Sequence, residues 1–232
     1  MTEIASPSAI LGRVLAASLL ALQRVRSPRP VHPHGVALSG TLRFTTQGSV
    51  SGLPFLDDPP TSQIAVTARV SRSIGLPLPL PDVLGLALRL PVPSGFADVL
   101  LASTGFGMPS RFWLAVHRSP SRARFTSFFP YKSDRGPVLL AARTIGPTDL
   151  PAEPTALAQA LETTTWRLHL YHATPSGRWH PFAVLELGRT PGPVDTTDRY
   201  DPIRHPLPGR TTYAWTRRLR QRSYAEIQEE RS

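Results

Sequence analysis

The sequence predicts an α+β fold: an antiparallel β-barrel of about eight strands, with a helix flanking it at each terminus. Two observations carry this. From residue 29 onward the chain breaks into short alternating apolar runs separated by Pro and Gly, the pattern of antiparallel strands and turns. At both ends the apolar or aromatic residues instead recur at three- and four-residue spacing, the period of a helix. Eight or nine strands are enough to close a sheet on itself and leave no exposed edge.

The N-terminal helix is expected over residues 9–24, with Ser6 as its cap and Pro7 in its first turn. Ile10, Leu11, Val14, Leu15, Leu19 and Leu22 give it a broad apolar face. Arg13 interrupts the apolar run, which suits neither a signal peptide nor a bilayer span. The stretch reads as an amphipathic helix packed on the domain, with membrane-surface attachment the minor alternative. The organisation expected is therefore a helix over 1–27 and a barrel domain over 28–232.

Strands are expected at 36–44, 64–71, 84–90, 99–103, 112–117, 125–129, 138–145, 166–172 and 182–187. In the second, Ile64, Val66, Ala68 and Val70 share one face, leaving Arg69 and Ser71 together on the other. In the third, Leu84, Leu86, Leu88 and Leu90 alternate with Gly85, Ala87 and Arg89. Gly85 and Ala87 read as small inward residues that leave room for a flat ligand over the barrel. The Pro-rich stretches 76–81 and 91–95 read as loops or edges, and 155–162 as a short helix. Residues 190–209 lose all periodicity and form an extended connector. The last segment, 212–231, carries Tyr213, Arg217, Arg220, Tyr224 and Ile227 along one helical face. Arg220 and Tyr224 are four apart, so the guanidinium can reach the phenol and favour phenolate.

Composition narrows the chemistry. At 232 residues and 41% hydrophobic, the chain can build a real core. It has no cysteine, which excludes disulfides and thiolate chemistry and suits a reducing cytoplasm. The formal charge of +10 invites a nucleic-acid reading. The basic residues are scattered arginines, with Lys132 the only lysine, and no zinc-finger spacing or polybasic block accompanies them. Arginines of this kind can instead pair with the carboxylates of an anionic ligand.

At the first strand's entrance stands Arg29-Pro30-Val31-His32-Pro33-His34-Gly35. Histidine is suited to proton transfer near neutrality and to metal ligation, and proline beside it fixes the backbone. A His-x-His pair at a strand start also opens the metal site of cupin-like barrels. That site wants a carboxylate close behind, and here the next acids are Asp57 and Asp58. His117, His169, His172, His180 and His205 show no ligand spacing.

The motifs, taken in order, resemble the catalase family. Residues 29–40 are similar to its distal-histidine segment, Arg-x-Val-His-Ala-Lys-Gly. Ala68-Arg69-Val70-Ser71 resembles its Val-Arg-Phe-Ser strand, and Asp82-Val83-Leu84-Gly85-Leu86-Ala87-Leu88-Arg89-Leu90 resembles Asp-Pro-Arg-Gly-Phe-Ala-Val-Lys-Phe. Asp98-Val99-Leu100-Leu101 falls where Asp-Leu-Val-Gly is expected, and Arg220 and Tyr224 have the Arg-x-x-x-Tyr spacing of the proximal haem ligand. The length suits the compact, minimal catalase-related proteins.

The resemblance implies a catalase-like barrel holding haem b, with Tyr224 as axial iron ligand and Arg220 stabilising its phenolate. It implies His32 as the catalytic acid–base, Ser71 as its orienting partner, and Arg69 and Arg29 as partners of the haem propionates. Ser103 falls where the family's distal asparagine would be, in Leu101-Ala102-Ser103-Thr104-Gly105. The function implied is peroxidase- or catalase-like, on hydrogen peroxide or organic hydroperoxides, with a homo-oligomer possible and neither nucleic acid nor a membrane expected as partner. The alternative is a non-catalytic barrel that binds haem or another apolar ligand, or has lost the cofactor.

Overall fold

The computed structural model describes residues 35–45, 48–59 and 61–208. The expected terminal helices, and with them Arg29, His32, Arg220 and Tyr224, lie outside the described residues. Ten strands appear: β1 Gly35–Phe44, β2 Gln63–Arg72, β3 Asp82–Val92, β4 Gly95–Ser103, β5 Val116–His117, β6 Arg124–Thr126, β7 Tyr131–Ser133, β8 Gly136–Gly146, β9 Trp166–Ala173 and β10 His180–Arg189. Pairing runs β2-β1-β10-β9-β8-β6-β4-β3, and an additional β2–β3 ladder closes the ring. The barrel is thus eight-stranded and antiparallel throughout. β5 and β7 are short appendages on β3 and β8.

Because successive side chains alternate faces, register decides what fills the barrel. Val36, Leu38 and Leu42 lie opposite Val70, Ala68 and Ile64. The same inward rows continue through Leu86 and Leu88 on β3 to Leu101 and Val99 on β4. These residues join Phe125, Leu140, Leu168, Leu170, Leu185 and Leu187 in one core cluster. The void left among Leu42, Phe55, Leu88, Leu101 and Phe182 is about 20 Å³, room for roughly one water-sized probe. Nothing of haem's size fits inside.

Two helices complete the described fold. α1, Pro54–Asp57, brings Phe55 and Leu56 into the core. The sequence pattern does not mark it. α2, Pro154–Thr163, begins on Pro154 and is capped by Glu153, whose carboxylate accepts from Thr155 N and Ala156 N. Its Leu157, Ala158 and Leu161 join the core.

Two strand expectations need correction. Of 112–117 only Val116 and His117 form a strand, with Leu114 in an isolated bridge to Thr104, because residues 110–112 form a 3₁₀ turn. Of 125–129 the strand stops at Thr126, and Phe128 takes a left-handed φ of 59°. Runs of aromatics with β propensity are here spent on turns.

The connector runs back across the outside of β1–β4 and is pinned there by two carboxylates. Asp98, fully buried, accepts from Arg89 Nε at 2.8 Å and Nη2 at 3.0 Å, and from Asp201 N at 2.8 Å; His205 Nδ1 lies 3.2 Å away. The Arg89 guanidinium sits 4.1 Å from the Phe96 ring centroid and 4.9 Å from that of Tyr200. Hydrogen bonding to Asp98 raises the Arg89 pKa. Asp195 accepts from Arg69 Nε and Nη2, both at 2.7 Å, and from Gly35 N at 2.8 Å. Burial alone would raise the Asp195 pKa, but the hydrogen bonds from Arg69, Thr196 and Gly35 hold it below its ordinary value.

Other arginines bind carbonyls. Arg72 Nη2 donates to Leu76 O and Leu80 O. Buried Arg111 donates through Nη1 to Thr174 O and Gly177 O and stacks 4.6 Å over Trp179. Burial lowers the Arg111 pKa.

Two outcomes follow from the connector's attachment. Asp98→Ala strips a buried pair of one partner and should cost about 3–5 kcal/mol in urea unfolding, with Asp98→Asn milder because it keeps an acceptor. An unchanged midpoint would contradict this. For Asp195, whose folded pKa is depressed, the stabilisation is present above the ordinary carboxylate value of about 4. It is lost as pH falls further, through the folded value. Pepsin cleavage of 190–208 should therefore accelerate as pH drops below that range, and Asp195→Asn should remove the dependence.

Candidate functional site

The outer face of β1–β4 carries a pattern the core does not. Pairing aligns Gly35 with Ser71, Ser71 with Gly85, and Gly85 with Ala102, one row across four strands. The next row is Ala37, Arg69, Ala87 and Leu100. Beyond it stand Thr67, Arg89 and Asp98, the row the connector covers. Apart from Arg69 and Leu100, both first rows are built from Gly, Ala and Ser. The face is flat, with one cation in it.

This corrects one expectation directly. Gly85 and Ala87 point outward, since Leu84, Leu86, Leu88 and Leu90 take the interior. Their small size leaves a shelf on the barrel wall and no space within it. Gly35 serves the same shelf: a Cβ there would fall 2.7 Å from Arg69 Cζ, so the guanidinium as placed lies where a larger residue would push it aside.

Arg69 and Ser71 emerge together on this shelf as expected, two residues apart on β2. Ser103 does not join them. It shares parity with Leu101 and lies opposite Phe125, on the inner side. It is fully buried, accepts from Leu84 N at 2.9 Å, and donates to Ala115 O at 2.6 Å. A hydroxyl has one proton to donate, and this one is committed. The residue on Ser71's face is Ala102. The next hydroxyl along that row, Thr126, is also fully buried and bonded to Thr104 at 3.0 Å.

Sequence reasoning missed Asp195. Its carboxylate takes two of the guanidinium's five N–H groups in the bidentate geometry a ligand carboxylate would use. Arg69 and Asp195 are separated by 126 residues, and no local motif announces the pair. Tyr200 was missed too. It lies by Thr67 and Arg89 on the covered row, and burial raises its pKa in spite of hydrogen bonding to Thr67 and the charge of Arg89.

The shelf fits a flat, apolar ligand with a carboxylate at its edge, which is the shape and chemistry of haem. Of the described histidines, His172 is held by the fold. His172 is buried, stacks 5.6 Å from His180, and has Nε2 3.2 Å from Ser49 O. Desolvation lowers its pKa. Among the described residues no cluster of three or more His, Cys, Asp or Glu side chains could hold a metal ion.

No protein-family model and no curated protein sequence matches this chain. Solved structures do. A fungal catalase superposes with a TM-score of 0.58 at 15% identity, covering 96% of this chain and 62% of that one. A bacterial catalase gives 0.57 at 16%, covering 100% and 63%. Catalase A from Saccharomyces cerevisiae gives 0.58 at 13%, covering 94% and 63%. The chain thus spans less than two thirds of the length of these catalases. Closed eight-strand topology and superposition agree: the chain has the catalase-like β-barrel fold.

Proposed function

We propose that this chain is a haem-dependent catalase-related protein with peroxidase-type activity on hydrogen peroxide or organic hydroperoxides. The observation that supports it is the outer shelf of Gly35, Gly85, Ala87 and Ala102, carrying Arg69 and Ser71, on a catalase-like barrel. When bound, haem b supplies the iron at which the peroxide O–O bond is cleaved.

In this reading each residue has a separate task. Tyr224 would hold the iron as phenolate, and Arg220, four residues earlier in the sequence, would stabilise that anion. His32 takes a proton from the peroxide and returns it to the leaving oxygen. Ser71 orients the His32 ring. Arg29 and Arg69 hold the propionates, and at Arg69 the ligand shares the guanidinium with Asp195 or displaces it.

Ala102 sets the character of the reaction. The resemblance sets Ser103 at the asparagine's place, but Ser103 turns inward, and on Ser71's face stands Ala102, a methyl group that neither donates nor accepts. Peroxide is then oriented by His32 alone. Peroxidase turnover with a slow second step suits this better than rapid disproportionation. The same methyl group favours a second reading, a barrel that binds haem without turnover.

Protein purified from haemin-supplemented cells should show a high-spin ferric Soret band that Tyr224→Phe abolishes. His32→Ala should keep the band and lose about 10²–10⁴-fold in peroxidase turnover, the worth of a general acid–base. A colourless protein that takes up no haemin sinks the haem reading. A Soret band with turnover indifferent to His32→Ala supports binding alone.

A further inference from the structure

The loop of residues 73–81, between β2 and β3, does something a simple connection would not. It holds Leu76, Leu78 and Leu80 outward, 38%, 50% and 48% exposed, alternating with Pro77, Pro79 and Pro81, and it contains no charged residue. Exposed turns ordinarily use Gly, Asn, Asp and Ser around proline. Three outward leucines are a departure with a solvation cost.

The loop's backbone is prepared for low polarity. Three of its nine residues are proline and have no N–H. Five of the other six are bonded within the protein. Ser73 N reaches Val83 O at 2.8 Å, and Leu80 N reaches Pro77 O at 2.9 Å. Ile74 N, Gly75 N and Leu76 N all donate to the carboxylate of Asp82, at 2.9, 2.8 and 3.2 Å. Asp82 is fully buried, with Arg72 Nε 3.6 Å away. From the other side Arg72 Nη2 holds Leu76 O and Leu80 O at 2.8 and 3.0 Å. With its donors so occupied, the loop gives up few N–H bonds to water on entering an apolar medium, where each unmade one is costly.

We propose that the 73–81 loop is a shallow docking finger that inserts its leucines into an anionic lipid surface. A protein partner is the poorer fit, because specific interfaces use about one hydrogen bond per 100–200 Å² and five of the finger's six N–H groups are already bonded within the protein. Charge selects the lipid. The chain carries +10, the finger is neutral, and Arg118 is exposed two residues beyond Val116, itself 52% exposed. Val116 pairs with Val83 just past the finger's base. Arg118 at the base of the leucine finger draws it to anionic headgroups, within a Debye length. A few leucines give weak, reversible attachment, as a single acyl chain does. The finger is independent of whether haem is bound.

The absence of cysteine makes a direct test available. Leu78→Cys carries one environment-sensitive fluorophore, and full-length protein is mixed with vesicles of phosphatidylcholine containing phosphatidylglycerol. The emission should shift to the blue and intensify, and much less so with phosphatidylcholine alone. Cosedimentation of unlabelled protein should fall about tenfold in Leu76→Ser/Leu78→Ser/Leu80→Ser, with the circular dichroism melting curve unchanged. A silent fluorophore overturns the proposal whether or not the protein sediments. So does sedimentation indifferent to the triple substitution, or equal binding to neutral vesicles.

Discussion

Closure of the sheet is the constraint from which the rest follows. Once β2 pairs β3 and eight strands form a ring, every residue of β1–β4 is committed to the core or to the wall outside. The aliphatic side chains take the inside and leave a void of about 20 Å³, so ligand chemistry is displaced outward. On that outer wall the closed register aligns glycine and alanine from neighbouring strands. A flat shelf results from pairing alone, and no strand carries it by itself.

The connector depends on the same wall. Asp98 and Asp195 stand at its two attachment points, each joined to an arginine that projects from the barrel. Asp98 is buried with Arg89, and breaking it exposes a cost on both partners. Asp195 is a third exposed and its pair is correspondingly softer. The softer attachment stands beside Ser71, the firmer one beyond the shelf.

Much of this was legible in the sequence because period-two leucines leave little choice of face. Leu84, Leu86, Leu88 and Leu90 announced β3, and Arg69 with Ser71 announced its neighbour. Ser103 failed for a physical reason: Leu100-Leu101 places two apolar residues in succession, so alternation alone cannot say which points inward. Only the pairing of Leu101 with Leu86 resolves it, and it hands the outer position to Ala102. Asp195 was invisible because its partner is distant in sequence. The 73–81 finger was legible as a loop but not as a presented surface, since its rigidity comes from Asp82 and Arg72 beneath it.

The proposed function places haem, when bound, on the outside of β1–β4 and not in the barrel's interior. Iron anomalous scattering from crystals grown with haemin tests it most directly. The predicted result is an iron peak over the outer shelf, above Ser71 and Gly85. A peak within the barrel, or on the outer side of β8–β10, would contradict it.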